Sequence, residues 1–178
     1  MLSQRLPVLP LSVYPMRPSL SAELRQRTPF RGLEEEAYLS LERTTDALRR
    51  QVAALLRDSD FTPTQYNALR ILRAAASEGH LTGEIGERLV VQDPDIPRLV
   101  DRLEKRGWVT RRRQTDDRRC VRVTITKVGK KVIDALDAPM QALHVAQLRS
   151  LGATNLRQLI TSLAVVREKL SDLTTGEG

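Results

Sequence analysis

The 178-residue sequence has little of what most catalytic or metal-binding proteins are built from: one cysteine, two histidines, two Phe, three Tyr and one Trp. A single cysteine, Cys120, excludes an intrachain disulfide and a cysteine-rich zinc site, and it is compatible with a reducing compartment. Neither His80 nor His144 stands in metal-ligand spacing with Cys120 or with a carboxylate pair, so no metal is expected. A Gly-rich phosphate loop, a Ser-His-Asp pattern and paired catalytic carboxylates are also missing, so neither an enzyme nor a cofactor is expected. The aromatics are few and none lies on a basic strand face, which removes the stacking platforms that single-stranded nucleic acid needs. No apolar run approaches the roughly 20 residues that cross a bilayer. The N-terminal apolar stretch is broken by Pro7, Pro10, Pro15 and Pro18, with no clean small-residue cleavage site, and reads poorly as a signal peptide. A cytoplasmic protein with no membrane partner is the expectation.

Positive charge is what the sequence has instead. The net charge is +7 and the pI about 10.2, a prior for nucleic acid or another anionic surface. The charge is local. Lys105, Arg106, Arg111, Arg112, Arg113, Arg118, Arg119 and Arg122 are opposed only by Asp116 and Asp117, so this window carries +6, nearly the excess of the whole chain.

Proline and periodicity divide the chain. Residues 1–32 form a flexible, Pro-rich arm, with five of the nine prolines before residue 30; its arginines could touch phosphates, or it is a passive tail. From Leu33 to about Arg57, Tyr38, Leu41, Leu48, Val52, Leu55 and Leu56 recur at helical spacing. Thr62, Pro63 and Gln65 predict a capping box that opens a helix ending near Gly79. Thr82 is expected to cap a short helix, Gly83–Leu89, with Gly86 in its middle, where only a crossing helix would justify glycine. After a turn at Val90–Gln92, a second short helix over 94–106 ends at Gly107, which suits a C-terminal stop. Val109–Arg113 and Cys120–Ile125 read as the strands of a hairpin with its tip at Gln114–Asp117, and two helices follow, about Lys130–Arg149 and one carrying Leu156, Leu159, Ile160, Leu163, Val166 and Leu170.

On a helical projection of the second short helix, Ile96, Leu99, Val100 and Leu103 share one side. Pro94, Arg98, Asp101 and Lys105 lie opposite, with Arg102 on the flank. An amphipathic helix with a charged face is commonly just solvated. Here it is followed by a narrow basic ribbon, and the pair suits duplex DNA, with the helix in the major groove. Arg98 could reach guanine O6 and N7, and Arg102 and Lys105 suit phosphates. Asp95 could accept from cytosine or cap the helix. Arg112, Arg113, Arg118 and Arg119 lie on the ribbon, where arginine is drawn to a narrow minor groove, and Asp117 can hold Arg119 in position.

Leu81-Thr82-Gly83-Glu84-Ile85-Gly86, then Leu99 to Gly107, then Asp117-Arg118-Arg119 and Thr124 to Gly129 resemble the MarR winged helix-turn-helix regulators over about Leu33–Leu170. The resemblance implies a mainly α fold of about six helices with a two-stranded β-hairpin wing. It implies a winged helix-turn-helix DNA-binding domain over 59–129, a helical dimerisation region over 33–58 and 130–171, and a tail over 172–178. It further implies a homodimeric transcription factor, most often a repressor, on a palindromic operator, with the wing arginine at Arg119 and its aspartate partner at Asp117. A small aromatic or anionic effector is expected between dimer helices and DNA lobes, where Tyr38, Tyr66 and His144 could line a pocket, although core packing explains them equally. Pro97 replaces a hydroxyl residue and Gly86 an alanine common in such proteins. Cys120 stands on a wing strand, away from the first helix where some of these proteins sense oxidants. The alternative reading is a winged-helix protein-interaction or structural subunit without operator specificity.

Overall fold

The computed structural model describes residues 19–113 and 120–175. In chain order these hold α1 (Leu20–Glu23), α2 (Leu33–Arg57), α3 (Pro63–Ala74), β1 (His80–Leu81), α4 (Thr82–Arg88), α5 (Ile96–Lys105), β2 (Val109–Arg113), β3 (Val121–Ile125), α6 (Lys127–Asp134), α7 (Asp137–Leu148), a 3-10 turn (Arg149–Leu151) and α8 (Gly152–Thr175). They fall into two compact units, one of residues 46–143 and one built from residues up to 45 together with those from 144 onward.

The 46–143 unit owns the hydrophobic core. Leu56, Leu69, Leu72, Ile85, Leu99, Leu103, Val123 and Ile133 are fully buried, so α2, α3, α4, α5, β3 and α6 each contribute to one interior. The expected capping box is present: Thr62 N–H donates to Gln65 Oε1 at 3.0 Å, and Gln65 N–H donates to Thr62 Oγ1 at 3.2 Å. Two backbone groups that would otherwise lack partners are thereby satisfied, which fixes where α3 begins.

The structure corrects three local expectations. The wing is not a two-stranded ribbon alone: β1 pairs antiparallel with β3, giving the order β1-β3-β2 with His80 opposite Val123 and Val109 opposite Ile125. Two residues make too short a strand to leave a period-2 signal. Gly79 permits the approach, since its φ is +60° and a Cβ there would lie 2.2 Å from the Val123 carbonyl oxygen. Second, Thr82 does not cap α4. Its hydroxyl donates to the Val121 carbonyl at 3.2 Å, and Glu84 accepts the Leu81 N–H at 2.9 Å. Third, the expected helix from Lys130 begins earlier and breaks. Thr126 Oγ1 accepts the Gly129 N–H at 3.0 Å, starting α6 at Lys127, and the chain restarts at Asp137. Pro139, in the first turn of α7, cannot supply the N–H that a continuous helix would require.

The other unit comprises α1, the first half of α2, the end of α7, the 3-10 turn and α8. Among its described residues none is buried, and Leu33, Tyr38, Ile160, Leu170 and Leu173 are each more than half exposed. Among the described residues no helix is long and apolar enough to cross a membrane.

Candidate nucleic-acid interface

The helix pair α4 and α5 is set by sterics first. Ile85 of α4 and Leu99, Val100 and Leu103 of α5 are buried. A Cβ at Gly86 would lie 3.1 Å from Ile96 Cγ1, so glycine accommodates the crossing of α5, as its mid-helix position suggested. The joint between the helices is pinned by Asn67 of α3, whose side-chain oxygen accepts the Val90 N–H at 3.1 Å.

The start of α5 is held by aspartates. Asp93 Oδ1 accepts the Asp95 N–H at 2.9 Å, and Asp95 Oδ1 accepts the Arg98 N–H at 3.2 Å, which makes Asp95 the cap. Its other oxygen lies 3.6 Å from Arg98 Nε. The helix ends in paired backbone bonds, Gly107 N–H to Glu104 O at 2.8 Å and Trp108 N–H to Leu103 O at 3.0 Å, with Gly107 at φ +70°. This left-handed stop aims the chain directly into β2.

Trp108 then anchors the strand. Its ring stacks on Phe61 at 4.4 Å between centroids, 13° from parallel, and the Arg106 guanidinium lies 3.8 Å above the Trp108 centroid. Arg106 also donates to the Asp60 carbonyl at 2.5 Å and pairs with the Asp60 carboxylate at 2.9 Å. Trp108 therefore joins the end of α5 to the loop before α3, a partner that the sequence pattern did not indicate.

Arg98, Arg102, Lys105, Arg112 and Arg113 are exposed, as is Pro94. Asp101 is half-buried, and Arg111 of β2 binds it at 2.5 Å while donating to Glu104 through Nε at 2.8 Å and Nη2 at 2.5 Å. Hydrogen bonding to Glu104, ahead of the opposing cost of desolvation, raises the Arg111 pKa above its ordinary value. One guanidinium thus ties α5 to β2 and pairs with two carboxylates. Residues 96–113 carry seven cations and just these two carboxylates; of the other six cations, Arg98 lies beside Asp95 and Arg106 pairs with Asp60, while Arg111 takes up both carboxylates of α5. The signal for Arg111 was available: Asp101 and Glu104 at i, i+3 share a helix face and call for a cation opposite. Within the hairpin, Arg112 stands directly across from Arg122, which donates to the Glu78 carbonyl at 3.0 Å. The hairpin tip at Gln114–Asp117, and Asp117, Arg118 and Arg119 with it, lies outside the described residues.

Of the candidate ligand residues, Tyr38 and His144 are exposed in the unit built from residues up to 45 and from 144 onward, where His144 Nδ1 is 3.2 Å from Gln147 Oε1. Tyr66 belongs to the other unit and packs partly buried against its core; that burial raises its pKa. None of the three lines the shallow cavity of about 250 Å³ formed by Ile71, Ala74, Ala75, His80 and Arg88. There His80 lies between Glu84, at 3.2 Å from Nδ1, and Arg88, at 3.3 Å from Nε2. Among the described residues no group of acidic, His or Cys side chains could hold a metal.

Two packed helices, the second with a cationic outer face beside a basic β-hairpin, define a winged helix-turn-helix, a DNA-binding unit. Comparison with known proteins narrows the class. The MarR family profile matches residues 61–121. A MarR transcription factor from Planctomyces limnophilus is 39% identical, over 77% of this chain and 99% of that one, with a TM-score of 0.61. The fold is also that of Sco3205, a MarR family regulator from Streptomyces coelicolor solved in complex with DNA (20% identity, 82% and 92% of the two chains, TM-score 0.72). CouR from Rhodococcus jostii RHA1, solved bound to p-coumaroyl-CoA, is similar too (24% identity, 77% and 95%, TM-score 0.66). The chain belongs to the MarR family: it is a DNA-binding transcription regulator and not an enzyme.

Proposed function

We propose that the protein is a homodimeric repressor, acting in the cytoplasm, that reads a palindromic duplex operator and is released from it by a small aromatic or anionic ligand. The observation that carries the DNA-reading part is the outer surface of α5. Arg98, Arg102 and Lys105 are exposed there while the carboxylates of Asp101 and Glu104 are covered by Arg111. In this reading residues 59–129 form the DNA lobe. Arg98 reads base edges in the major groove, with Pro94 and Asp95 at the same end of the helix. Arg102, Lys105, Arg112 and Arg113 contact phosphates, and Arg118 and Arg119, steadied by Asp117, enter the minor groove. Asp101 is assigned to positioning through Arg111 rather than to a base.

Dimerisation is supported by the unit built from residues up to 45 and from 144 onward, among whose described residues none is buried. Leu33 is 80% and Leu173 69% exposed. Apolar surface of this kind is expected to be covered by a partner, and a second copy would do so through 33–58 and 130–171. Residues 1–32 are assigned as an arm and 172–178 as a tail. The ligand remains one of small aromatic or anionic chemistry, with Tyr38, Tyr66 and His144 as candidate contacts, in keeping with the p-coumaroyl-CoA held by CouR.

The test is titration of the full-length protein with the duplex upstream of its own gene, at two salt concentrations and against a scrambled duplex, with sedimentation equilibrium for the stoichiometry. Preference of about 10³ or more, a steep loss of affinity with salt and two chains per duplex are expected. Equal, weak binding to both duplexes, repeated after genome-wide selection, would refute operator reading and favour the protein-interaction alternative. A monomer on DNA would refute the palindrome.

A further inference from the structure

We propose that Asp95 and Arg98 form one reading unit, in which Asp95 restricts the base next to the guanine that Arg98 contacts. This rests on the major-groove role of α5 proposed above. The two oxygens of Asp95 are divided between two tasks. Oδ1 accepts the Arg98 N–H at 3.2 Å, and Oδ2 lies 3.6 Å from Nε of the same arginine. The carboxylate is held by backbone rather than by its rotamer alone. Its own N–H is bonded to Asp93 Oδ1 at 2.9 Å, and Pro94 and Pro97 fix φ on either side. Of the other carboxylates near this face, Asp101 and Glu104 are taken up by Arg111.

The consequence for Arg98 is geometric. Its side chain is 80% exposed and its Nε faces Asp95, so the two terminal nitrogens remain as a parallel pair of donors. That pair matches guanine O6 and N7. The consequence for the neighbouring base is chemical. An ionised carboxylate only accepts hydrogen bonds. Beside a cytosine N4 or adenine N6 amino group it gains a donor; beside guanine O6 or thymine O4 it meets a second acceptor and is repelled. The unit thus reads guanine followed, on the edge facing Asp95, by cytosine or adenine.

The experiment is selection from random duplexes by the full-length wild type and by Asp95→Asn, Asp95→Ala and Arg98→Lys, read by sequencing, with melting temperatures measured in parallel. Asparagine caps as well as aspartate, so Asp95→Asn separates the reading role from the capping role. Wild type should enrich one guanine with a cytosine or adenine beside it. Asp95→Asn should melt as wild type and keep the guanine, while its discrimination at the neighbouring position falls roughly tenfold. Arg98→Lys should weaken the guanine itself, since an ammonium lacks the fork. Asp95→Ala should lose the neighbouring preference and melt lower. An Asp95→Asn matrix identical to that of wild type, or wild-type enrichment of guanine or thymine at the neighbouring position, would overturn the inference while leaving operator reading intact. Failure of wild type to enrich any sequence would overturn both.

Discussion

Arg111→Ala tests whether the strut between β2 and α5 matters more for DNA than for folding. The substitution removes one cation and releases Asp101 and Glu104, whose side chains are 45% and 35% exposed, as is Arg111 at 37%. Ion pairs this exposed contribute little to stability, about 0–1 kcal/mol. Their charge is also felt by a polyanion. A carboxylate about 10 Å from a phosphate is repelled by about 1.7 kcal/mol at an effective dielectric of about 20. Screening at about 0.1 M salt, where the Debye length is about 10 Å, leaves roughly 0.6 kcal/mol. Removing the single guanidinium takes the local charge from −1 to −2, a change of one unit, which costs about 0.6 kcal/mol, roughly threefold in affinity, before any loss of helix placement is added. Fluorescence anisotropy with a labelled operator should show a loss of about threefold or more, growing as salt is lowered. The melting temperature should hardly move. Asp101→Asn with Glu104→Gln in the Arg111→Ala background should recover most of the loss, because it removes the carboxylates that were uncovered. If the triple variant binds no better than Arg111→Ala, repulsion is the wrong account. If the loss comes with a large drop in melting temperature, the strut is structural.

Three further outcomes follow from other contacts. Arg106→Ala should destabilise the DNA-binding unit by about 1–2 kcal/mol, since its guanidinium covers Trp108 at 3.8 Å; Trp108 is the only tryptophan, so chemical unfolding followed by its emission reads this directly, and an unchanged midpoint would remove the stack from the stability account. Gly79→Ala should destabilise by more than about 1 kcal/mol, because φ is +60° and the new Cβ would press on the Val123 carbonyl at 2.2 Å; a midpoint equal to wild type in the same unfolding assay would show that β1 need not pair with β3. The third concerns acid. Lys130 first, and Arg73 at 2.8 Å, lower the pKa of Asp134, while Arg73 also pairs with Asp137 at 2.7 Å. A carboxylate with a lowered folded pKa contributes stability above its unfolded pKa, about 3.9, and that contribution is lost as pH falls through the lower folded value. Arg73→Ala should therefore flatten the decline in stability below about pH 4; an acid limb of the same steepness in both proteins would show that the pair does not set it.

The legible parts of this molecule are those written in neighbouring residues. The capping box at Thr62, the apolar side of α5, the glycine stop at 107 and the strand Val121–Ile125 each depend on residues within about one or two turns or one strand, so periodicity and cap chemistry identify them. What escaped depends on partners far along the chain. β1 exists because His80 meets Val123, Thr82 serves the Val121 carbonyl instead of its own helix, and Arg106 reaches back to Asp60. No window of sequence contains both halves of these contacts. The basic stretch illustrates the limit most directly. Read as composition, Arg111, Arg112 and Arg113 are three equal positive charges. Strand geometry sends Arg111 to the same side as Arg113 and Arg112 to the other, and the nearby carboxylates of α5 make Arg111 a strut while leaving Arg112 and Arg113 exposed. Adjacent arginines thus acquire different tasks. The net charge of a basic run identifies the class of partner; which of its charges remain available to that partner is decided by the fold.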